Sequence, residues 1–149
     1  MGSKGFTLME LLVVTGILAI MAVIVWPRFS STILTGMKVY TTSHHLAGEM
    51  RFTQRLGLSS NKNYIIKLCP SSPYKSYKIF KQGQEPSPIK ERELPADVVC
   101  NSTSDSFTFT PLGTASINGE ISIDDGNVRR KIRVRQATGR VEITEQEKL

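Results

Sequence analysis

From Phe6 to Trp26 the chain runs FTLMELLVVTGILAIMAVIVW, 21 residues in which Glu10 is the only charge. As a helix rising about 1.5 Å per residue, this stretch would be roughly 31 Å long. The hydrocarbon core of a bilayer is about 30 Å thick. A secretory signal peptide has a shorter apolar region, about 7 to 15 residues, and ends at a small-residue cleavage site. Here the run is longer and ends in Val25-Trp26-Pro27-Arg28. The expectation is a single membrane-spanning helix followed, from about Arg28, by a chain polar enough to be soluble. With 149 residues in all, the remainder suffices for one domain with a real core.

Pro27 should bend or interrupt the first helix. Helical character resumes beyond it, with Phe29, Ile33, Met37, Tyr40, His44 and Ala47 at spacings of three and four. Leu46, Met50 and Leu56 widen that stripe, and Gly57 with Ser59-Ser60-Asn61 reads as its stop. The two helices together would form a rod of about 50 residues, far longer than a usual globular helix.

After Asn63 the pattern changes to short β-rich runs: YIIKL, YKIF, VVC, FTFT, ISI, IRV and VEI. Turn signals separate them at Pro70-Ser71-Ser72-Pro73, Asp125-Gly126 and Thr138-Gly139, and Gln82 to Pro88 reads as a loop. Two-residue hairpins at Asp125-Gly126 and Thr138-Gly139 would set Ile123 against Val128, Ile121 against Arg130, and Val134 against Ile143. In that register Ile121, Ile123, Val128, Ile132, Val134, Val141 and Ile143 share one face, with Arg130 and Gln136 intruding. The pattern predicts a three-stranded antiparallel meander buried on one side. Its solvent face would carry Lys131, Arg133 and Arg135, with Glu120 opposite Lys131 and Glu142 opposite Arg135. The fold class is α+β: a long N-terminal helix packed on antiparallel sheet.

The N-terminal stretch KGFTLMELLVVTGILAIMAVIVWP strongly resembles the processing signal of type IV pilins and of type II secretion pseudopilins. Gly5, Phe6, Thr7, Leu8, Glu10, Leu11, Leu12 and Pro27 carry the resemblance. It implies cleavage between Gly5 and Phe6 by a prepilin peptidase on the cytoplasmic side, with N-methylation of Phe6. The divisions implied are a leader over 1–5, a membrane and filament-core helix over 6–27, and a head over 28–149. Within the head, the helix would occupy about 28–58 and the sheet about 63–145. The chain would sit in the inner membrane with its head outside, then enter a pilus or pseudopilus with other pilins. Each position has a physical reading. Gly5 lets a protease approach the backbone closely. Cleavage creates an amine on Phe6 that is largely protonated near neutral pH, with a reference pKa of about 8. A carboxylate in hydrocarbon costs on the order of 2.5 kcal/mol or more at the centre, so Glu10 needs a partner. The resemblance supplies one, the Phe6 amine of a neighbouring subunit, which would set the axial register.

FTFTPLGTAS, followed by ISIDDGNVRRKIRVRQATGRVEI, is similar to GspH/FimT-type minor pilins and pseudopilins, the matching residues being Phe107, Phe109, Gly113, Gly139 and Arg140. Some FimT-like members bind DNA in natural transformation through a C-terminal Gly-Arg-any-Arg motif. Here Gly139-Arg140-Val141 is followed by Glu142, an acid where the second arginine would stand. Arg133, Arg135 and Arg140 are the candidate DNA contacts. Such a basic strand face can hold phosphates with strong salt dependence, or can simply be a solvated face that keeps a sheet from pairing with others. The net charge of +6 permits an anionic partner without requiring one. The functional expectation is a structural subunit in filament initiation or at the tip, with a DNA-binding minor pilin as the alternative and a major pilin as a third possibility.

Cys69 and Cys100, the two cysteines, are expected to form one disulfide in an exported domain. His44 and His45 are adjacent on a helix and point apart, so no metal site is expected. No phosphate loop or nucleophile motif is present. The chain reads as the substrate of an enzyme rather than an enzyme, and no cofactor is expected.

Overall fold

The computed structural model describes residues 7–25, 32–85, 87–144 and 147–148. Two units are resolved, one through Leu34 and one from Thr35 to Leu149. In the first, α1 spans Leu8–Val25. Its described side chains are exposed around the whole circumference, so α1 has no apolar stripe with a polar back. At 18 residues it is about 27 Å long. Among the described residues no helix is long and apolar enough to cross a membrane. Phe6 and Trp26, which bring the apolar run to 21 residues, lie outside the described residues, as does Pro27.

In the second unit, α2 (Thr32–Ser60) packs on two antiparallel sheets. Sheet A has the order β3-β2-β1-β5, formed by Lys90–Glu93, Ser76–Lys81, Tyr64–Cys69 and Ser106–Phe109. Sheet B has the order β4-β6-β7-β8, formed by Val99–Ser102, Gly119–Asp124, Val128–Val134 and Val141–Ile143. A short β9 (Glu147–Lys148) also pairs with β7. One hydrophobic cluster joins the layers: Val39, Leu46 and Met50 from α2, Ile66 and Tyr77 from sheet A, and Ile121 and Ile132 from sheet B all belong to it. The expected α+β architecture, a helix packed on antiparallel sheet, is the one observed. All seven β-rich runs lie in or against strands, and β3 and β9 are additional.

The buried face of α2 differs from the expected stripe. Met37 is 62% exposed, and Tyr40 and His44 are also on the outside. The inward positions are Val39, Thr42, Ser43, Leu46, Ala47, Met50 and Thr53. Small hydroxyl residues can be buried there because the helix backbone satisfies them: Ser43 Oγ donates to the Tyr40 carbonyl (2.9 Å) and Thr53 Oγ1 to that of Glu49 (2.7 Å). The outer aromatics have other uses. Tyr40 stacks with His44, ring centroids 4.2 Å apart, and the Arg130 guanidinium lies 4.7 Å from the Tyr40 centroid. Gly57 is also not the helix stop. The helix runs through it to Ser60 and ends at Asn61, whose φ of 51° is left-handed. A Cβ on Gly57 would lie 3.1 Å from the Thr110 carbonyl oxygen, so its small size admits the loop after β5.

Both hairpins of sheet B are two residues out of the expected register. Ile121 faces Ile132, Ile123 faces Arg130, and Val134 faces Val141. The first turn still has two residues at its tip but lies one step on, at Gly126-Asn127, closed by Asp125 N–H donating to the Val128 carbonyl at 3.3 Å; the second is longer than two residues. Asp125 Oδ1 accepts from the N–H groups of Asn127 (2.9 Å) and Val128 (2.8 Å), which wraps the chain one step further before pairing starts. The second turn is closed by Arg135 N–H donating to the Arg140 carbonyl at 3.0 Å. Because the displacement is even, every side chain keeps its face. Ile121, Ile123, Val128, Ile132, Val134 and Val141 are buried, Ile143 is half-buried, and Arg130 intrudes as expected. Gln136 instead lies exposed in the turn.

Candidate functional site

The N-terminal site begins with a capping box that sequence inspection passed over, although T-x-x-E before an apolar run is its signature. Thr7 is the cap and Glu10 stands three residues on. The Glu10 N–H donates to Thr7 Oγ1 at 3.2 Å, and the Thr7 N–H donates back to Glu10 Oε2 at 3.4 Å. The carboxylate therefore closes onto the start of its own helix, where the backbone dipoles favour negative charge. Thr15 satisfies its hydroxyl on the carbonyls of Leu11 (2.9 Å) and Leu12 (3.1 Å). With that hydroxyl satisfied inside the helix, Glu10 is the one charged side chain that α1 presents. Gly5 and Phe6, the expected cleavage pair, lie outside the described residues.

The second candidate site is the outer face of β7. Its basic side chains are matched by carboxylates from the flanking strands. Glu120 takes Lys131 (3.3 Å) and Arg133 (3.2 Å), Asp124 takes Arg129 (3.5 Å), and Glu142 takes Arg135 (3.3 Å) and Arg140 (3.0 Å). Glu120 faces Arg133 and not Lys131, and Glu142 also faces Arg133 and not Arg135, because of the two-residue shift. Burial pushes the Glu120 carboxyl up, but hydrogen bonds from Arg133 and Lys131 outweigh it and hold the group below the usual range. The structure therefore brings Arg133, Arg135 and Arg140 together on one side of the sheet, each with an acid. Exposed pairs of this kind contribute about 0 to 1 kcal/mol each.

The expected Cys69–Cys100 disulfide is not present; both are free thiols. Strand alternation gives the reason. On β1 the buried positions are Tyr64, Ile66 and Leu68, so Cys69 falls on the opposite face and is half-buried. Cys100, on β4, points into the core. Burial, with a smaller contribution from Asp124, pushes its thiol up to about 12.

Two arrangements were not legible in the sequence. The first ties β3 to α2. Lys90 Nζ reaches Glu49 Oε1 at 2.5 Å, Arg92 Nη1 donates to His45 Nε2 at 2.6 Å, and Tyr77 Oη bonds His45 Nδ1 at 3.2 Å. Glu49 is only 7% exposed, and its Oε2 has no hydrogen-bond partner among the described residues. His45 is held below its ordinary pKa chiefly by burial, then by Arg92, with Glu49 opposing and Lys90 adding. Among the described residues no group of three or more His, Cys, Asp or Glu side chains could hold a metal. The second arrangement joins α2 to two turns. Gln54 Nε2 on α2 donates to the carbonyls of Gly113 (2.6 Å) and Thr138 (3.2 Å). Gly139, at φ 60°, fits against Gly113 where no Cβ would. Sequence similarity had singled out both glycines; their packing against each other explains the need.

Comparison with known proteins agrees with these features. A family model described as the prokaryotic N-terminal methylation motif matches residues 1–26. Among solved structures, the type IV minor pilin FimU of Pseudomonas aeruginosa matches with a TM-score of 0.63 at 16% identity, covering 72% of this chain and 88% of FimU. A second crystal form of FimU gives a TM-score of 0.61 at 17% identity, covering 71% and 92%. The minor pseudopilin EpsH of the Vibrio cholerae type 2 secretion system gives 0.59 at 6% identity, covering 72% and 96%. Curated protein sequences give no match. Residues 1–26 thus carry a prokaryotic N-terminal methylation motif, and the head has the fold seen in FimU and EpsH.

Proposed function

We propose that the chain is a structural subunit, a minor pilin or pseudopilin, that acts in the initiation or at the tip of a type IV pilus or a type II secretion pseudopilus. The observation that carries this reading is the methylation motif over residues 1–26 on a chain whose head has the fold of FimU and EpsH. In this reading residues 1–5 are a leader removed by a prepilin peptidase, and Phe6 becomes a methylated N-terminus. Residues 6–27 anchor the chain in the inner membrane and later form filament core, with Pro27 breaking the helix. Residues 28–149 form a head on the outer side. The apolar circumference of α1 supports this, because such a surface has to be covered by lipid or by other helices. Glu10 exchanges its bond to Thr7 for the Phe6 amine of a neighbouring subunit when it joins a filament.

Mass spectrometry of the mature protein tests processing: a species beginning at methylated Phe6 is expected, and persistence of the intact leader in cells contradicts the reading. Deletion of the gene tests the role, with loss of piliation or of secretion expected and normal levels of both counting against it. Glu10→Ala tests assembly, with fewer subunits recovered in sheared filaments expected.

A further inference from the structure

The carboxylates that match the β7 face leave an adjoining basic surface only partly matched. A cleft of about 510 Å³ lies between α2 and β8, lined by Arg51, Gln54 and Arg55 on one side and by Arg140, Val141 and Glu142 on the other. Arg51 and Arg55 are four residues apart, so they share one side of the helix. Arg51 Nη2 donates to the Val141 carbonyl at 2.9 Å, which fixes that guanidinium against β8, and the rest of its fork makes no bond among the described residues. Arg55 makes no hydrogen bond or ion pair among the described residues. Arg140 gives its Nε to Glu142, and its two terminal nitrogens make no ion pair among the described residues. Three positive charges and one negative charge line the cleft, a net of +2. Glu142 is also drawn on by Arg135, so it neutralises the cleft incompletely.

We propose that this cleft is a binding site for a dianionic phosphate group, held by forked hydrogen bonds from Arg51, Arg55 and Arg140. Guanidinium forks match the oxygen geometry of phosphate. A charge of −2 balances the cleft, which a single carboxylate or one phosphodiester does not. The group could come from free phosphate or from a phosphomonoester on a larger molecule. The site shares Arg140 and Glu142 with the acid-paired face of β7 and extends it to α2 through Arg51 and Arg55; it does not depend on the filament reading.

The test uses the full chain in detergent micelles, with arginine side-chain NMR signals followed as inorganic phosphate or glycerol phosphate is added. Saturable shifts confined to Arg51, Arg55 and Arg140 are expected with at least one of the two, and which one binds identifies the source. Binding should strengthen as pH rises through the second phosphate ionisation, near pKa 6 for an ester. Arg55→Gln should weaken it about fivefold, the scale of an exposed charge pair. Lys67→Gln, which removes equal charge from β1, should leave it unchanged. Absence of saturable shifts overturns the proposal, as does equal weakening by the two variants. Binding of a DNA oligonucleotide without binding of either phosphate also overturns it, in favour of diffuse attraction to polyanions.

Discussion

Gly139→Ala isolates the joint between α2 and the two turns at Gly113 and Thr138. Two costs arise at that position. The first is conformational: at φ 60° an L-residue with a Cβ loses roughly 1 to 2 kcal/mol. The second is steric. The added Cβ would stand 2.6 Å from Gln54 Nε2 and closer still to the Gly113 carbonyl oxygen. Ordinary contact begins near 3.4 Å, so the turn must retreat. Retreat breaks the two hydrogen bonds from Gln54 to Gly113 and Thr138, together worth about 1 to 3 kcal/mol. The expected loss is therefore about 2 to 5 kcal/mol, or roughly 4 to 20 °C in Tm at about 2 to 4 °C per kcal/mol. Gly126→Ala is the matched control. Its φ is 86° and nothing lies within 4 Å of the added Cβ, so it bears only the conformational cost. Thermal unfolding of the full chain in micelles, followed by near-UV circular dichroism of the head tyrosines, measures both. Equal loss of Tm in the two variants would refute the packing argument.

Other outcomes follow from features already described. The neutral form of His45 is favoured by the fold, so the unfolded chain binds more protons in the window just below its ordinary value of 6.5. This contribution to stability is present above that value and lost as pH falls through the lowered folded value; urea titrations from pH 7.5 to 5 should show the decline, and His45→Gln should flatten it. Iodoacetamide should label Cys69 in the native protein and reach Cys100 only on unfolding, since Cys100 is fully buried with its thiol near 12; rapid native labelling of both would contradict that burial. Ile132→Ala, at a fully buried position of β7, should cost about 2 to 5 kcal/mol in urea denaturation.

How much could be read from the residues varied with the physics of each element. The N-terminal run was legible because an unbroken apolar stretch needs no register. The inner and outer faces of β6, β7 and β8 were legible because alternation survives an even shift. Their partners were not, because turn position depended on where the Asp125 side chain bonded. The face of α2 was misread because Met37, Tyr40 and His44 look like core, whereas Ser43 and Thr53 occupy it by bonding to their own helix. β3 was invisible: KERE has no apolar alternation, and the strand is held by pairing with β2 and by ties to Glu49 and His45. The cysteine expectation failed on strand parity, which composition does not reveal. The arginine cleft combines residues from distant parts of the chain, and no local pattern announces it.

The two turns of sheet B carry one more implication. Since pleat direction repeats every second residue, a hairpin can be extended or trimmed at its tip by pairs without turning any inward side chain toward water, whereas a single added residue would invert one whole arm. Related heads should therefore differ at 125–128 and 136–139 in steps of two, and engineered tags placed there should be spliced in with even lengths.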